Sequence, residues 1–187
     1  MGNREDLLEG AKQCLKTKGY ARTTVRDIAT AAGVSMAAIG YHYGSKEALM
    51  NAALEALTRE WGEELGRALA TAIPADAGPV ERFQGVWEGV IESFAGSRPL
   101  WSATFEVLGQ LDQPIREQLA AGLKEARPGL AGIFGGLDQE DKEAVVVGSF
   151  YQSLLTGVMA QYLIDPDNAP TGADLARALR LIAAGVH

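Results

Sequence analysis

The chain has 187 residues, of which 47% are apolar and 22% are charged, and its formal net charge is −7. This composition is typical of a globular protein with a hydrophobic core, and it argues against a disordered or fibrous chain. A single cysteine excludes an internal disulfide framework, and two histidines do not supply a metal site, so we expect no cofactor.

Apolar residues recur at helical spacing along the whole chain, and no strand pattern interrupts them. We expect a first helix that ends before Gly19, a short helix from Thr24, and a second short helix capped by Ser35. Ser45 is expected to cap a long helix over residues 46–72. Later helices are expected at about residues 80–94, 101–112, 114–135, 139–164 and 172–186. The pattern predicts an all-α fold of about nine helices.

Residues 24–43 have the pattern of a helix-turn-helix, in which a tight turn joins two short helices. Gly33 permits the turn, and Val34 and Ile39 face inward. The second helix of such a motif lies in the major groove of DNA. Its outward positions are Met36, Ala37, Ala38, Gly40, Tyr41 and His42.

The distribution of charge agrees with a DNA-binding segment near the amino end. Residues 1–50 carry a net charge of +2, whereas residues 51–187 carry −9. A mildly basic segment on an acidic body presents one end to a polyanion. An αα corner inside a helical bundle is the alternative interpretation of the motif.

The segment from about residue 5 to residue 55 resembles the tetracycline-repressor (TetR) family of bacterial regulators. The resemblance rests on Gly19-Tyr20, Thr23 to Ala29, Ala32 to Ser35, Tyr41-His42-Tyr43 and Ser45 to Leu49. It implies a homodimeric, all-helical transcriptional regulator. Residues 1–46 would bind operator DNA, and residues 47–187 would bind a small effector and the second subunit. It also implies that the effector acts by tilting the long helix.

Two departures from the family pattern concern the DNA-binding segment. Gly40 stands where the family often has an aromatic or polar-tipped residue, so one DNA contact is missing. Tyr43 and Gly44 stand where the family often has Phe and Pro.

The chemistry of the outward residues predicts how they would contact DNA. The expected phosphate ligands are Thr24, Arg26, Ser35, Tyr41, His42 and Lys46. Base reading falls to Met36, Ala37 and Ala38, none of which offers a bidentate hydrogen bond. We therefore expect apolar contact with thymine methyl groups and readout of DNA shape. A packing role for Tyr41 and a capping role for His42 are the alternatives.

The 21 residues from Ala144 to Ile164 contain no charge. Their length would suit a membrane span, but polar residues at helical spacing from Ser149 to Thr156 argue against one. We expect this helix and the last one to lie between the core and a second subunit. The expected interface residues are Val147, Tyr151, Leu155, Val158, Leu175, Leu179 and Ile182. A buried central helix in a monomer is the alternative.

An effector pocket is expected among large side chains of the carboxyl-terminal segment, although the same residues would serve as plain core. The expected walls are Trp87, Phe94, Trp101, Phe105, Phe134, Tyr151 and Met159. The expected polar groups that orient the ligand are Glu106, Gln110 and Gln152.

Together these features predict a ligand-responsive transcriptional regulator, a repressor that binds palindromic operator DNA as a homodimer and is released by a small molecule. The alternative is a small-molecule binding or carrier protein whose helix-turn-helix no longer reads DNA. An enzyme is not expected, because no nucleophile–base pair stands out. No basic and apolar leader opens the sequence, so we expect a cytoplasmic protein.

Overall fold

The computed structural model describes residues 3–74, 76–108 and 113–185, and every regular element in these ranges is an α-helix. The helices are α1 (Asn3–Lys18), α2 (Val25–Ala32), α3 (Ala37–Tyr43), α4 (Lys46–Ala72), α5 (Pro79–Gly96), α6 (Arg98–Leu108), α7 (Gln113–Gly135), α8 (Ala144–Ile164) and α9 (Gly172–Ala183). The predicted all-α fold is confirmed over these ranges. In the part of the chain that is described, no helix combines the length and apolar character that a membrane span needs.

The starts of α3 and α4 show which capping predictions hold. The Ala48 N–H donates to Ser45 Oγ at 3.0 Å, so Ser45 caps α4 as expected. The expected cap of α3 by Ser35 is wrong, because α3 follows the N-cap residue Met36, which makes no side-chain capping bond. Ser35 instead contributes its carbonyl oxygen, which accepts from the Ala38 N–H at 3.1 Å.

The helix expected from residue 139 begins at Ala144. Two aspartates explain the difference, because their side chains bond to the local backbone. The Glu140 N–H donates to Asp138 Oδ1 at 3.0 Å, and the Glu143 N–H donates to Asp141 Oδ1 at 2.8 Å. These turns compete with helix formation and delay the start of α8.

Residue contacts divide the described chain into two compact units. The first unit comprises the described residues of 1–63 and 97–110, so α6 packs with the amino-terminal helices. Its core includes Leu7, Leu15, Ile28, Leu49 and Met50, all fully buried. The division of function at residues 46 and 47 stays a prediction, because packing does not report what each segment binds.

An ion-pair network centred on a buried lysine connects α1 to α4 inside the first unit. Lys12 is only 9% exposed, and its Nζ donates to Glu9 Oε1 at 2.8 Å and to Glu60 Oε1 at 2.5 Å. Burial would lower the pKa of Lys12, but the hydrogen bonds to Glu60 and Glu9 outweigh it, and the net pKa is raised. The network fixes the amino-terminal half of α4 against α1.

The second unit comprises residues 64–96 and the described residues of 111–187. Its core contains the fully buried rings of Trp87 and Phe94 in α5 and the ring of Phe134 in α7. Gly172 begins α9 so close to α5 that an added Cβ would stand 2.7 Å from the carbonyl oxygen of Gln84. A glycine at this position therefore permits the helix pair.

Candidate nucleic-acid interface

A capping box at Thr24 begins the first helix of the motif. The Asp27 N–H donates to Thr24 Oγ1 at 3.2 Å, and the Thr24 N–H donates to Asp27 Oδ2 at 3.0 Å. Lys18 Nζ donates to Asp27 Oδ1 at 2.5 Å. The hydrogen bonds from Lys18 and Thr24 lower the pKa of the Asp27 carboxyl from 3.8 to about 2. Asp27 is therefore ionised, and its carboxylate links the end of α1 to the start of α2 through hydrogen bonds.

The turn between α2 and α3 depends on Gly33. Its φ of 66° lies in the left-handed region that favours glycine. The Gly33 N–H donates to the carbonyl of Thr30, and the Val34 N–H donates to the carbonyl of Ala29 at 3.0 Å. These bonds end α2 and set the direction in which α3 leaves the turn.

The α3 helix buries one side and exposes the other, as the sequence predicts for a recognition helix. Ile39 is 3% exposed and holds the inner side. Met36 is 51% exposed and Tyr41 is 86% exposed. On the same outer side, Ala37 and Gly40 are exposed, and Ala38 and His42 are half-buried. The Tyr41 ring meets the His42 ring edge-on, with 4.9 Å between centroids.

The structure changes the expected role of Thr24. Its hydroxyl donates to Asp27 Oδ2 at 2.8 Å, and its backbone N–H donates to the same oxygen. A donor occupied in this way is not offered to a phosphate, so we leave Thr24 out of the proposed phosphate ligands. Arg26, which follows it in the first turn of α2, is exposed and keeps its proposed role.

Lys46 is half-buried at the start of α4, where its ammonium has two partners. Its Nζ donates to the Thr23 carbonyl oxygen at 3.3 Å and lies 3.5 Å from Glu47 Oε1. An ammonium has three donors, so Lys46 keeps capacity for a phosphate. Ser35 is exposed beside the turn and remains a candidate on exposure alone.

Two contacts of this unit were not predicted from the sequence. Arg4 at the start of α1 stacks over the Tyr43 ring at 5.1 Å, and the Tyr43 hydroxyl donates to the Arg4 carbonyl at 2.9 Å. The Ala21 N–H donates to Glu106 Oε2 of α6 at 3.0 Å. Glu106, expected to orient an effector, therefore stabilises the loop before α2.

The predicted effector residues are divided between the two units. Trp101, Phe105 and Glu106 belong to the first unit, where the Trp101 ring meets the Trp61 ring edge-on at 4.5 Å. Gln110 lies outside the described residues. In the second unit, Gln152 is already engaged, because Nε2 donates to the Leu123 carbonyl and Oε1 accepts from Arg127. Glu106 and Gln152, two of the three predicted polar groups, thus already have hydrogen-bond partners.

The aromatic members of the second unit do come together. The Trp87 and Phe134 rings stack with 5.8 Å between centroids and an interplanar angle of 8°. Tyr151 stacks on Phe134 at 5.4 Å. Phe83, which was not predicted, lies 6.2 Å from both Trp87 and Tyr151. Phe94 and Met159 are buried in the same unit.

The predicted interface residues differ in exposure. Tyr151 and Val158 are 8% and 2% exposed because they pack against their own chain, so we leave them out of the proposed interface. Val147, Leu155, Leu175 and Leu179 are half-buried, and Ile182 is 71% exposed. The sequence reasoning missed exposed apolar side chains of the same two helices, which are Val145, Val146, Phe150, Ile164 and Leu181.

An exposed recognition helix on an all-helical fold defines a helix-turn-helix protein, and comparison with known proteins agrees. Residues 7–53 match the family model of bacterial regulatory proteins of the tetR family. The HTH-type transcriptional repressor AcnR of Corynebacterium efficiens is 43% identical over 49 residues, which are 26% of this chain and 26% of that protein. AcnR of Corynebacterium glutamicum is 36% identical over 86 residues, 46% of this chain and 41% of that protein. The matches thus span about a quarter and about two fifths of these relatives.

A solved structure extends the likeness to nearly the whole chain. The putative transcriptional regulator from Pseudomonas aeruginosa PAO1 has a TM-score of 0.62 and 26% identity, with 98% of this chain and 91% of that chain covered. Residues 7–53 therefore carry the segment that is characteristic of the tetR family of bacterial regulatory proteins. The resemblance seen in residues 5–55 is confirmed.

Proposed function

We propose that this protein is a transcriptional repressor that binds palindromic operator DNA as a homodimer and leaves it when a small effector binds. Tyr41 is the observation that carries the proposal. An aromatic side chain that is 86% exposed on a seven-residue helix gains little from its own fold. A role as a phosphate ligand, or a contact between the ring and a base, explains this exposure. Such a regulator acts in the cytoplasm.

The composition of the outer side of α3 decides the kind of DNA contact. Met36, Ala37 and Ala38 carry no side-chain hydrogen-bond donor, so they select thymine methyl groups and DNA shape. Tyr41, His42 and Arg26 then hold the backbone of the duplex. Ser35 and Lys46 extend the phosphate contacts on either side of α3.

A dimer through α8 and α9 would bring two such helices to one duplex. Phe150 is 48% exposed, Leu181 is 52% exposed and Ile182 is 71% exposed. Exposed apolar side chains of this kind are typical of a surface that a second subunit covers. Twofold symmetry makes the preferred DNA site a palindrome.

The named repressors among the relatives support repression as the mode of action. The carrier alternative is not favoured, because a carrier has no use for the exposed ring of Tyr41. A coupling of about 1–3 kcal/mol between effector and DNA would change operator affinity about 5–150-fold.

Selection from a random duplex library tests the proposal, followed by fluorescence anisotropy on the enriched duplex over a series of salt concentrations. We expect a palindromic sequence, two protomers per duplex, and an affinity that falls as salt rises. Arg26→Glu should weaken binding about tenfold or more, and Lys124→Glu, an exposed charge change in the second unit, should not. Failure to enrich any sequence would reject the proposal.

A further inference from the structure

A buried hydrogen-bond donor without an acceptor lies in the core of the second unit. Trp87 has no exposed surface, and its indole Nε1 has no hydrogen-bond partner among the described residues. Buried polar atoms are nearly always paired in folded proteins. The exception needs an explanation, and the surroundings of the indole supply one.

This indole belongs to a cluster of aromatic rings from three helices. Phe134 of α7 stacks on it, and Phe83 of α5 lies 6.2 Å from its centroid. Tyr151 of α8 contacts both Phe134 and Phe83, with centroid distances of 5.4 Å and 6.2 Å. These rings pack against one another, and aromatic side chains are the usual lining of a site for a small organic molecule.

Among the described residues of this unit, no buried side chain carries a charge that would neutralise a charged ligand. The buried polar or charged residues of the described chain are Lys12 and Thr23, and both belong to the first unit. Burial raises the pKa of the Tyr151 hydroxyl, so this group stays neutral at neutral pH. Arg127 and Gln152, at intermediate depth, are bonded to each other. A charged molecule among these rings would have no buried partner of opposite charge among the described residues, which is unfavourable.

We propose that the indole N–H of Trp87 anchors the effector, and that the effector is an uncharged, mainly apolar molecule with a hydrogen-bond acceptor such as a carbonyl oxygen. This inference rests on the proposed function, because it names the ligand class for the effector site of the repressor. The Trp87 indole takes the orienting role that the sequence predicts for Glu106 and Gln152, since both of these side chains already have hydrogen-bond partners. The ligand enters as the rings move apart, and its acceptor completes the bond that the indole lacks.

Nuclear magnetic resonance of ¹⁵N-labelled protein tests the inference at the atom concerned. The chain has only three tryptophans, so each indole N–H gives one resolvable signal, and Trp87→Phe assigns the signal of Trp87 by its loss. The probes are acetophenone, its acceptor-free isostere α-methylstyrene, and benzoate. The two-ring set of 2-acetylnaphthalene, 2-isopropenylnaphthalene and 2-naphthoate covers a larger site.

We expect a ketone of one set to shift the Trp87 indole proton downfield and to bind about tenfold more tightly than its isostere. The carboxylates should not bind. In Trp87→Phe, which keeps an aromatic ring, the ketone and its isostere should bind equally. Trp61→Phe, a matched change in the first unit, should leave the difference intact.

Equal affinity of ketone and isostere for the unmodified protein, or a preference for the carboxylate, would overturn the inference. So would the absence of any ketone-induced shift at Trp87 in both sets. DNA selection is scored separately with the ligand-free protein. If duplex binding holds and these probes fail, only the ligand class is wrong, whereas failure of DNA selection rejects the proposed function.

Discussion

Gly148 in α8 lies directly against the backbone of Arg127 in α7, so a Cβ at residue 148 would overlap the Arg127 carbonyl group. The clash is with backbone, which cannot rotate away as a flexible side chain does. The closeness of α7 and α8 therefore requires glycine at this point.

Replacing Gly148 with alanine should destabilise the protein by about 3 kcal/mol, because the two helices must separate. Gly157→Ala is the matched control in the same helix, since a Cβ there would meet nothing within 4 Å. That change should stabilise by about 0.5–1 kcal/mol through helix propensity. Urea unfolding followed by circular dichroism measures both changes, and equal effects would contradict the packing argument.

Tyr41→Ala should lower the affinity for the selected duplex at least about tenfold, because it removes a phosphate donor and a ring. Its free energy of unfolding should change by less than about 0.5 kcal/mol, since the side chain is exposed. Fluorescence anisotropy and urea unfolding report the two quantities. Tyr41→Phe separates the hydroxyl from the ring, and retained affinity in both variants would exclude Tyr41 from the interface.

The capping network at Asp27 should make stability depend on acid pH. Its pKa is lowered from 3.8 to about 2, so the ionised carboxylate stabilises the folded state above pH 3.8. This contribution is lost as the pH falls from 3.8 through about 2. Asp27→Asn should lower stability at neutral pH and lose less on acidification than the unmodified protein.

Thermal unfolding of the two proteins between about pH 5 and about pH 2 gives the comparison. Asp76→Asn, an exposed change in the second unit, should retain the pH dependence of the unmodified protein. Parallel curves for Asp27→Asn and the unmodified protein would show that the carboxylate contributes nothing.

Ile182→Lys should convert the dimer into monomers, because a charge would be buried at the proposed interface of α8 and α9. Leu123→Lys is the control, since Leu123 in α7 is also exposed, at 47%. Sedimentation velocity measures the mass, and the monomeric variant should lose duplex affinity more than about tenfold. A dimer that persists in Ile182→Lys would move the interface elsewhere.

Local capping chemistry made several helix bounds predictable. Thr24 and Ser45 bond within three residues of themselves, so sequence spacing alone locates α2 and α4. Ser35 has the same chemistry, but the chain continues into the turn of Met36 before the helix begins. The start of α8 was predicted too early, because Asp138 and Asp141 accept hydrogen bonds from nearby backbone N–H groups. Sequence spacing does not show which side chain binds which N–H group.

The prediction of the candidate sites was limited by contacts between helices that are distant in sequence. Helical spacing shows that α8 has no charged residue on any side, but it does not show that Tyr151 and Val158 pack in their own core. Likewise, no spacing reveals that the Trp87 indole lacks an acceptor, since that depends on helices distant in sequence. The bond between Glu106 and the backbone N–H of Ala21 likewise leaves no mark in the sequence.

The placement of α6 has a practical consequence for hybrid regulators. Glu106 holds the Ala21 amide and Trp101 packs on Trp61, so the unit that carries the recognition helix is discontinuous in sequence. Fusion of residues 1–46 to the carboxyl-terminal segment of another regulator would leave the Ala21 N–H without the Glu106 carboxylate that binds it. Exchange of operator specificity between relatives should therefore succeed when α6 is transferred together with the amino-terminal helices.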